Sequence, residues 1–298
     1  RDLRTRPDHA MLPTLAGQLP LTEPMDQEQI ERIDAASLDI LEEVGVVFRD
    51  DIALQDWRKA GADVRGERVH LDRGLVKSLI KTIPAEITLH ARNPEKTVAL
   101  GGRQSIFIPM TGAPYLRDLE DVRRSPTLDD LATFHKLAHM LPAMHSSAHH
   151  IVEPMDHPIS HRHLRITHSS MLYSDKTFMG MTTSGQNAED VLDMCAILFG
   201  EEYLETHAVV TGNCNGNSPL VWDETMLSAM RAFNRRNQPV LCSPFVLGGA
   251  NTPASTVPTV AQLNAEALSA LAYTQVIRPG CPAIYGPVSY THLTLPTK

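Results

Sequence analysis

From about residue 105 onward, short apolar segments alternate with segments of helical periodicity at a regular interval. The apolar segments are predicted strands. They begin near residues 105, 144, 177, 207, 239 and 281. Because a pair of parallel strands needs a crossover connection and a helix supplies it, the alternation predicts an α/β fold with a parallel sheet.

Two architectures fit this alternation, an open doubly wound sheet and a TIM-type (β/α)8 barrel. No Gly-rich phosphate turn follows any predicted strand, and polar residues follow every strand instead of one switch point. Both observations favour the barrel. Since six of eight units are visible, we predict a C-terminally truncated barrel over residues 101–286.

The first hundred residues follow a different pattern, in which short helices and short strands are mixed. Asp26 is a predicted N-cap, and the helix that it begins ends at Gly45. A strand is predicted at 68–71, followed by a helix at 73–82. We interpret residues 1–100 as an N-terminal α+β extension that packs on the barrel.

Charge, hydropathy and cysteine spacing narrow the class of protein. The net charge is -8 at pH 7, and no run of lysines and arginines offers a local basic patch, so nucleic acid is not an expected partner. The apolar runs are too short to span a bilayer. The four cysteines are widely separated, which predicts buried thiols in a reducing, cytoplasmic environment.

In a barrel, the carboxyl ends of the strands and the loops after them form the active-site mouth. Side chains that can bind a ligand follow several of the predicted strands. They are Thr111; His149, His150 and Glu153; Thr183; Asn213, Asn215 and Trp222; and Tyr285.

Asn213, Asn215 and Asn217 stand at alternate positions, with Gly216 between the last two. This pattern does not suit a hydrophobic strand interior, and amides both donate and accept hydrogen bonds. A turn and an N-cap for the helix near Asp223 explain Asn217 equally well. Asn213 and Asn215 lie nearer the strand end, and we predict that they line a pocket.

Histidines are concentrated between residues 145 and 168. Neither an HExxH motif nor a cysteine at zinc-finger spacing accompanies them, so we predict no metal site. His149 and His150 lie near a strand end, where one of them can donate or accept a proton at neutral pH. A hydrogen-bonded structural histidine is an equally good interpretation.

Several motifs occur in a fixed order over residues 28–286. The longest are NSPLVWDETM at 217–226 and QLNAEAL at 262–268. The others are IDAAS at 33–37, ILEEVGV at 40–46, AGADV at 60–64, LHARNP at 89–94, RD at 117–118, TLDD at 127–130, SDK at 174–176 and TSG at 183–185. Together they resemble the trimethylamine methyltransferase family.

The resemblance implies a TIM-barrel enzyme that moves a methyl group from a methylated amine to the Co(I) corrinoid of a partner protein. No cofactor would be bound permanently, and we expect a homo-oligomer. Archaeal trimethylamine members of the family carry pyrrolysine, which is not written here. A quaternary amine such as glycine betaine is therefore the first expected substrate, and trimethylamine is the second.

Under this hypothesis the site residues take two roles. Catalytic side chains that handle protons would be His149, His150 and Glu153. Side chains that bind the substrate would be Asn213 and Asn215, which orient the amine; Trp222 and Tyr285, which face its cation; and Thr111 and Thr183.

Two other functions fit the same sequence. One is a metal-dependent TIM-barrel hydrolase that uses the His-rich segment, and the other is a non-catalytic protein that binds methylated amines. Beyond Gly286 the resemblance stops. Residues 287–298 look like translated sequencing adapter, and we predict that they are not native.

Overall fold

A computed structural model describes residues 10–18, 20 and 22–290. The chain forms two compact units. Unit 1 consists of the described residues within 1–19, 85–181 and 193–210, and unit 2 of those within 20–84, 182–192 and 211–298.

The helices are numbered in chain order. They are α1 (Gln27–Asp39), α2 (Asp51–Lys59), α3 (Arg73–Ile80), α4 (Leu128–Met140), α5 (Ile159–Tyr173), α6 (Gly185–Phe199), α7 (Glu201–Thr206), α8 (Glu224–Arg235) and α9 (Thr256–Ile277), with a π-helix at Ile40–Val44 and a 3-10 helix at Pro94–Lys96.

The strands are numbered in the same way. They are β1 (Leu15–Ala16), β2 (Val46–Arg49), β3 (Asp63–Arg65), β4 (Arg68–His70), β5 (Glu86–Leu89), β6 (Val98–Gly101), β7 (Gln104–Ser105), β8 (Leu116–Arg117), β9 (Arg123–Arg124), β10 (Phe178–Met179), β11 (Val210–Gly216), β12 (Val221–Asp223), β13 (Val240–Leu247), β14 (Ala283–Tyr285) and β15 (Val288–Tyr290).

Helix α1 begins where the sequence predicts. The Asp26 carboxylate accepts from the Gln29 amide, and the Gln29 side chain accepts from the Asp26 amide, so both halves of a capping box are present. At Gly45 the backbone has φ 73°, and a Cβ there would lie 2.7 Å from the Val69 carbonyl oxygen. Only glycine fits, which confirms Gly45 as the end of this helical segment.

Unit 2 contains the parallel sheet that the alternation predicts. β13 pairs in parallel with β11 on one side and with β14 and β15 on the other. Helix α9 packs against β13, and also against α1 and α3. Its residues are buried around most of the helix, as expected for a helix enclosed by neighbouring elements.

A second sheet in unit 2 joins the first third of the chain to a later segment. β2 pairs in parallel with β12 and antiparallel with β4. Beneath it, Phe48, Trp57 and Tyr273 are fully buried, with ring centroids 5.5–5.8 Å apart. Aromatic pairs at such distances contribute about 0.5–1.5 kcal/mol each beyond the area that they bury.

In unit 1, helices α4 and α5 pack together, and β5 pairs with β6 in a hairpin. Here two predictions are wrong. The predicted strands that begin at residues 105 and 144, which we expected to extend over 105–110 and 144–152, are not continuous strands. The second segment makes only isolated parallel bridges, at Ser146 with Thr177 and at Val152 with Ala113. Between them Ala148 has φ 53°, a left-handed conformation that interrupts an extended ladder.

The predicted division at residue 100 stays a prediction, as does the non-native tail. Residues 288–290 form β15, whereas 291–298 lie outside the described residues. Within the described ranges, no helix is both long and apolar enough to cross a membrane.

Candidate functional site

The carboxyl end of β11 presents Asn213 and Asn215 on one face of the parallel sheet of unit 2. In the register with β13, Asn213 lies beside Leu241 and Asn215 beside Ser243. Side chains at alternate positions of a strand share a face, so the two amides point the same way. We call the surface that Asn213 and Asn215 form the Asn face. Of its two side-chain amides, that of Asn215 is exposed and that of Asn213 is half-buried.

Asn213 carries an unsatisfied acceptor. Its side-chain Oδ1 is buried and has no hydrogen-bond partner among the described residues. Its backbone carbonyl, by contrast, accepts from the Thr182 hydroxyl at 2.5 Å. A buried polar atom without a partner costs about 1–3 kcal/mol, and a bound ligand can recover that cost.

Asn217 has a local role instead. Its side-chain amide donates to the Asp223 carboxylate at 2.5 Å, and the other Asp223 oxygen accepts from the Met226 amide at 2.9 Å. Asp223 is thus the N-cap of α8, and Asn217 supports it. The turn-and-cap interpretation therefore accounts for Asn217.

The two aromatic residues predicted to face a cation do not lie on the Asn face. Trp222 is fully buried, and its indole N–H donates to the Ser269 hydroxyl at 3.1 Å. Tyr285 lies beside Cys242 in the register, on the opposite face of the sheet, and its hydroxyl donates to Asn264 Oδ1 at 3.0 Å. Both rings are thus turned towards α9.

Thr183 belongs to the same unit and is exposed. Its hydroxyl oxygen accepts from the Asn187 side-chain amide at 2.8 Å, at the start of α6. These contacts do not place the Thr183 side chain on the Asn face. Its role in binding the substrate stays a prediction.

Two residues outside the predicted set of site residues also lie on the Asn face. Ser243 is buried beside Asn215, and Phe245 lies two positions further along β13 with a half-exposed ring. Because side chains alternate along a strand, the sequence alone places Ser243 and Phe245 on the same face of β13. The pairing register, which a single sequence does not reveal, decides which of its two faces meets the asparagines.

His149, His150 and Glu153 form a polar chain in unit 1. His149 Nε2 and His150 Nδ1 are 2.5 Å apart, and His150 Nε2 lies 3.9 Å from Glu153 Oε2. Glu153 in turn accepts from Arg162 at 2.8 Å. The structure therefore brings these three predicted residues together, and it adds Arg162, which the sequence interpretation did not include.

Burial controls the protonation of this chain. It lowers the pKa of His149 well below its ordinary value, with a further contribution from His150. It also lowers the pKa of His150, against the opposing effect of Glu153. Both imidazoles are therefore neutral at pH 7, and a neutral imidazole can accept a proton.

Thr111 directly precedes a backbone segment that is hydrogen-bonded to the histidine chain. The amide of its neighbour Gly112 donates to the His150 carbonyl at 2.7 Å, and the Glu153 amide donates to the Ala113 carbonyl at 2.9 Å. Gly112 has φ 81°, and a Cβ there would lie 3.5 Å from His150 Nε2. The segment is thereby held close to the ring.

No group of three or more His, Cys, Asp or Glu side chains placed to hold a metal ion occurs within residues 10–18, 20 and 22–290. The four cysteines are buried. Burial raises the pKa of the Cys214 thiol to about 12 and that of Cys281 to about 11. Such thiols are protonated at neutral pH, which is unfavourable for nucleophilic chemistry.

The most informative comparison is with families of known proteins. The model of the trimethylamine methyltransferase family matches residues 1–292. The chain belongs to the trimethylamine methyltransferase family. Glycine betaine methyltransferase of Desulfitobacterium hafniense (strain Y51) is 40% identical over 275 residues, covering 92% of this chain and 57% of that protein.

Other relatives of this family member are more distant. Proline betaine:corrinoid methyltransferase of Eubacterium limosum is 28% identical, over 87% of this chain and 55% of that protein. The crystal structure of the Methanosarcina barkeri monomethylamine methyltransferase has a TM-score of 0.60 at 13% identity, covering 89% of this chain and 54% of that one. The family member thus spans about half the length of the relatives that it matches.

Two motifs that carry the family resemblance meet in unit 2. Residues 217–226 form the loop after β11, strand β12 and the start of α8, whereas 262–268 lie within α9. Ser218 of the first motif donates to the carboxylate of Glu266 in the second. The two motifs are therefore in direct contact in the fold.

Proposed function

We propose that this family member is the amine-binding portion of a methyltransferase that passes a methyl group from a methylated amine to the Co(I) corrinoid of a partner protein. Glycine betaine is the first expected donor and trimethylamine the second. The names of the relatives, two of which specify a betaine, support this choice.

One observation carries the proposal: an unsatisfied amide oxygen, that of Asn213, beside the exposed amide of Asn215 at the carboxyl end of parallel strands. The carboxyl ends of parallel strands are where α/β folds bind ligands. An amide oxygen carries partial negative charge and makes favourable contacts with the polarised methyl hydrogens of an ammonium ion. The exposed ring of Phe245 on the same face offers a cation–π contact.

The chemistry requires orientation more than proton transfer when the donor is quaternary. The Co(I) corrinoid, on its carrier protein, would supply the nucleophile that takes the methyl group, and the electron pair of the C–N bond would leave with the neutral tertiary amine. The protein then contributes binding and alignment. His149, His150 and Glu153 remain proposed as proton-handling residues, a role that a protonated tertiary amine would need.

The complete fold, the oligomeric state and the carrier of the corrinoid are proposed as well. We infer a (β/α)8 barrel, supported by the parallel order of β11, β13 and β14 and by the fold shared with the monomethylamine enzyme. We also propose a cytoplasmic homo-oligomer that binds no corrinoid permanently and meets it on a separate protein.

The test mixes the natural protein that contains this sequence with a Co(I)-corrinoid protein and a panel of methylated amines. The absorbance change from Co(I) to methyl-Co(III) reports transfer, and we expect glycine betaine to give it. The corrinoid partner is first shown to be competent with another methyltransferase. If no amine then methylates it, the proposed reaction is wrong.

A further inference from the structure

Glu266 of α9 is a buried acidic residue that the proposed chemistry does not use. It is 1% exposed, and its carboxylate accepts three hydrogen bonds. The donors are the Ser218 hydroxyl, the Leu220 backbone amide at 2.9 Å and the Gln262 side-chain amide at 2.9 Å. Two of these donors belong to one loop, residues 217–220, which connects β11 to β12.

This loop, here called loop A, needs such an anchor because its backbone is strained. Leu220 has φ 54°, in the left-handed region that disfavours side chains with a Cβ. Glu266 accepts from the amide of this very residue. The surroundings must over-determine a strained conformation for it to persist. Here the Glu266 carboxylate holds the Leu220 amide, and the Val47 amide of β2 donates to the Leu220 carbonyl at 2.9 Å.

Gln262 extends the anchor to a second loop, residues 248–252, here called loop B, which follows β13. Its side-chain amide donates to the Asn251 carbonyl at 3.1 Å as well as to Glu266. Asn251 Oδ1 accepts from the Leu247 amide at 2.6 Å, at the end of β13. Gln262 and Glu266 are one helical turn apart, so both project from the same side of α9.

We propose that Gln262 and Glu266 are positioning residues for the amine site. They fix loops A and B at the carboxyl ends of β11 and β13, and thereby hold the Asn face in its binding arrangement. Asn215 lies two residues before loop A, so movement of that loop displaces its amide. This inference rests on the proposed function, since it assigns the Asn face to the amine.

The experiment compares three variants of the natural protein that contains this sequence. E266A removes the anchor. In E266Q the side-chain amide oxygen can still accept from the Leu220 amide, whereas the side-chain amide nitrogen can donate to the Ser218 hydroxyl. Q275A is the matched control: Gln275 is a fully buried α9 residue whose amide donates to the Cys281 carbonyl at 2.9 Å and accepts from Gly280 at 2.8 Å, away from both loops.

Two readouts are needed. Calorimetric titration with glycine betaine and with trimethylamine gives Kd, and hydrogen exchange measures protection of the peptides that cover residues 215–222 and 247–252. We expect E266A to raise Kd about tenfold or more, which corresponds to about 1.4 kcal/mol of binding, and to lose protection in both peptides. E266Q should restore most of the affinity, and Q275A should change Tm without changing Kd or protection in these peptides.

The outcomes separate the two proposals. If the unmodified protein binds neither amine and methylates no corrinoid partner, the proposed function fails and the positioning role falls with it. If the unmodified protein binds an amine and E266A binds it equally well, only the positioning role is wrong. Equal losses of affinity in E266A and Q275A, in proportion to their losses in Tm, would also overturn it, because they would indicate a general effect on stability.

Discussion

At the scale of single residues, two buried polar atoms stand out. Asn213 Oδ1 and His149 Nδ1 have no hydrogen-bond partner among the described residues. Most buried polar groups in proteins are paired, so an exception calls for an explanation, and a bound ligand is one. Asn213 and His149 lie in different units.

Replacing Asn213 by Ala should separate binding from stability. The substitution removes an unsatisfied acceptor, so we expect the free energy of unfolding to change by less than about 1 kcal/mol. Affinity for the amine should fall about tenfold or more, as measured by calorimetric titration. N93A, which removes the amide that caps the 3-10 helix of unit 1, is the control and should leave affinity unchanged. A normal Kd in N213A would exclude Asn213 from the site.

The buried histidines make stability depend on pH. His135 Nε2 lies 2.6 Å from the His149 carbonyl oxygen, and burial lowers the pKa of His135 from 6.5 to about 4. Below pH 6.5 the unfolded chain therefore binds a proton that the folded chain does not. Stability is fully present above pH 6.5 and declines as the pH falls towards 4.

The corresponding variant is H135Q. Between pH 7 and about pH 4.5, wild type should lose roughly 2–3 kcal/mol more unfolding free energy than H135Q, which lacks the titrating ring. Urea denaturation at both pH values measures this. H161Q, which removes an exposed histidine from α5, should lose as much as wild type. Parallel pH profiles for H135Q and wild type would contradict the expected effect of burial.

At the scale of elements, one buried ion pair joins α2 to α8. Arg231 donates to both oxygens of Asp50 at 2.7 and 2.8 Å, and both side chains are almost fully buried. Asp50 also caps α2 by accepting from the Ala53 amide at 2.7 Å. Removal of one partner of such a pair leaves an uncompensated charge in the interior.

D50N should therefore destabilise the protein by about 3–5 kcal/mol, because the amide keeps the cap but not the charge. D63N in the same unit is the matched control. Asp63 pairs with Arg65 at 2.6 Å, but both side chains are more than half exposed. An exposed pair contributes under about 1 kcal/mol. Urea denaturation compares the two, and similar losses would show that burial of the Asp50 pair is not what matters.

At the scale of the whole molecule, the cysteines report on the integrity of the fold. They are Cys195, Cys214, Cys242 and Cys281, all buried. Burial raises the pKa of the thiol at the three positions in the parallel-sheet region, Cys214, Cys242 and Cys281. A thiol reacts through its thiolate, so both access and ionisation are suppressed in the folded state.

We therefore expect a thiol-reactive chromophore to label none of the four cysteines rapidly at pH 7.5 in the folded protein. In urea all four should react, since unfolding restores access and the ordinary thiol pKa. Counting the released chromophore measures both states. Rapid labelling of one cysteine without urea would show that its segment opens in the folded protein.

The sequence by itself determined features that depend on near neighbours. The start of α1 at Asp26 and the turn at Gly45 follow from local hydrogen bonds and sterics, and so does the α8 cap at Asp223. The alternation of strands and helices also predicted the parallel β11, β13 and β14. The wrong strands, 105–110 and 144–152, have strand-like composition. In the second of them, Ala148 departs from the extended backbone in a way that composition does not show.

Only the tertiary structure decided which side chains meet. The register of β11 on β13 puts Ser243 beside Asn215, and the next register, of β13 on β14, turns Tyr285 towards α9. A shift of one residue would reverse both faces, and no local signal fixes it. Glu266 lies 48 residues from Ser218 along the chain and is its hydrogen-bond partner in the fold. Such contacts form only when distant segments pack, because packing brings together residues that the chain itself keeps far apart.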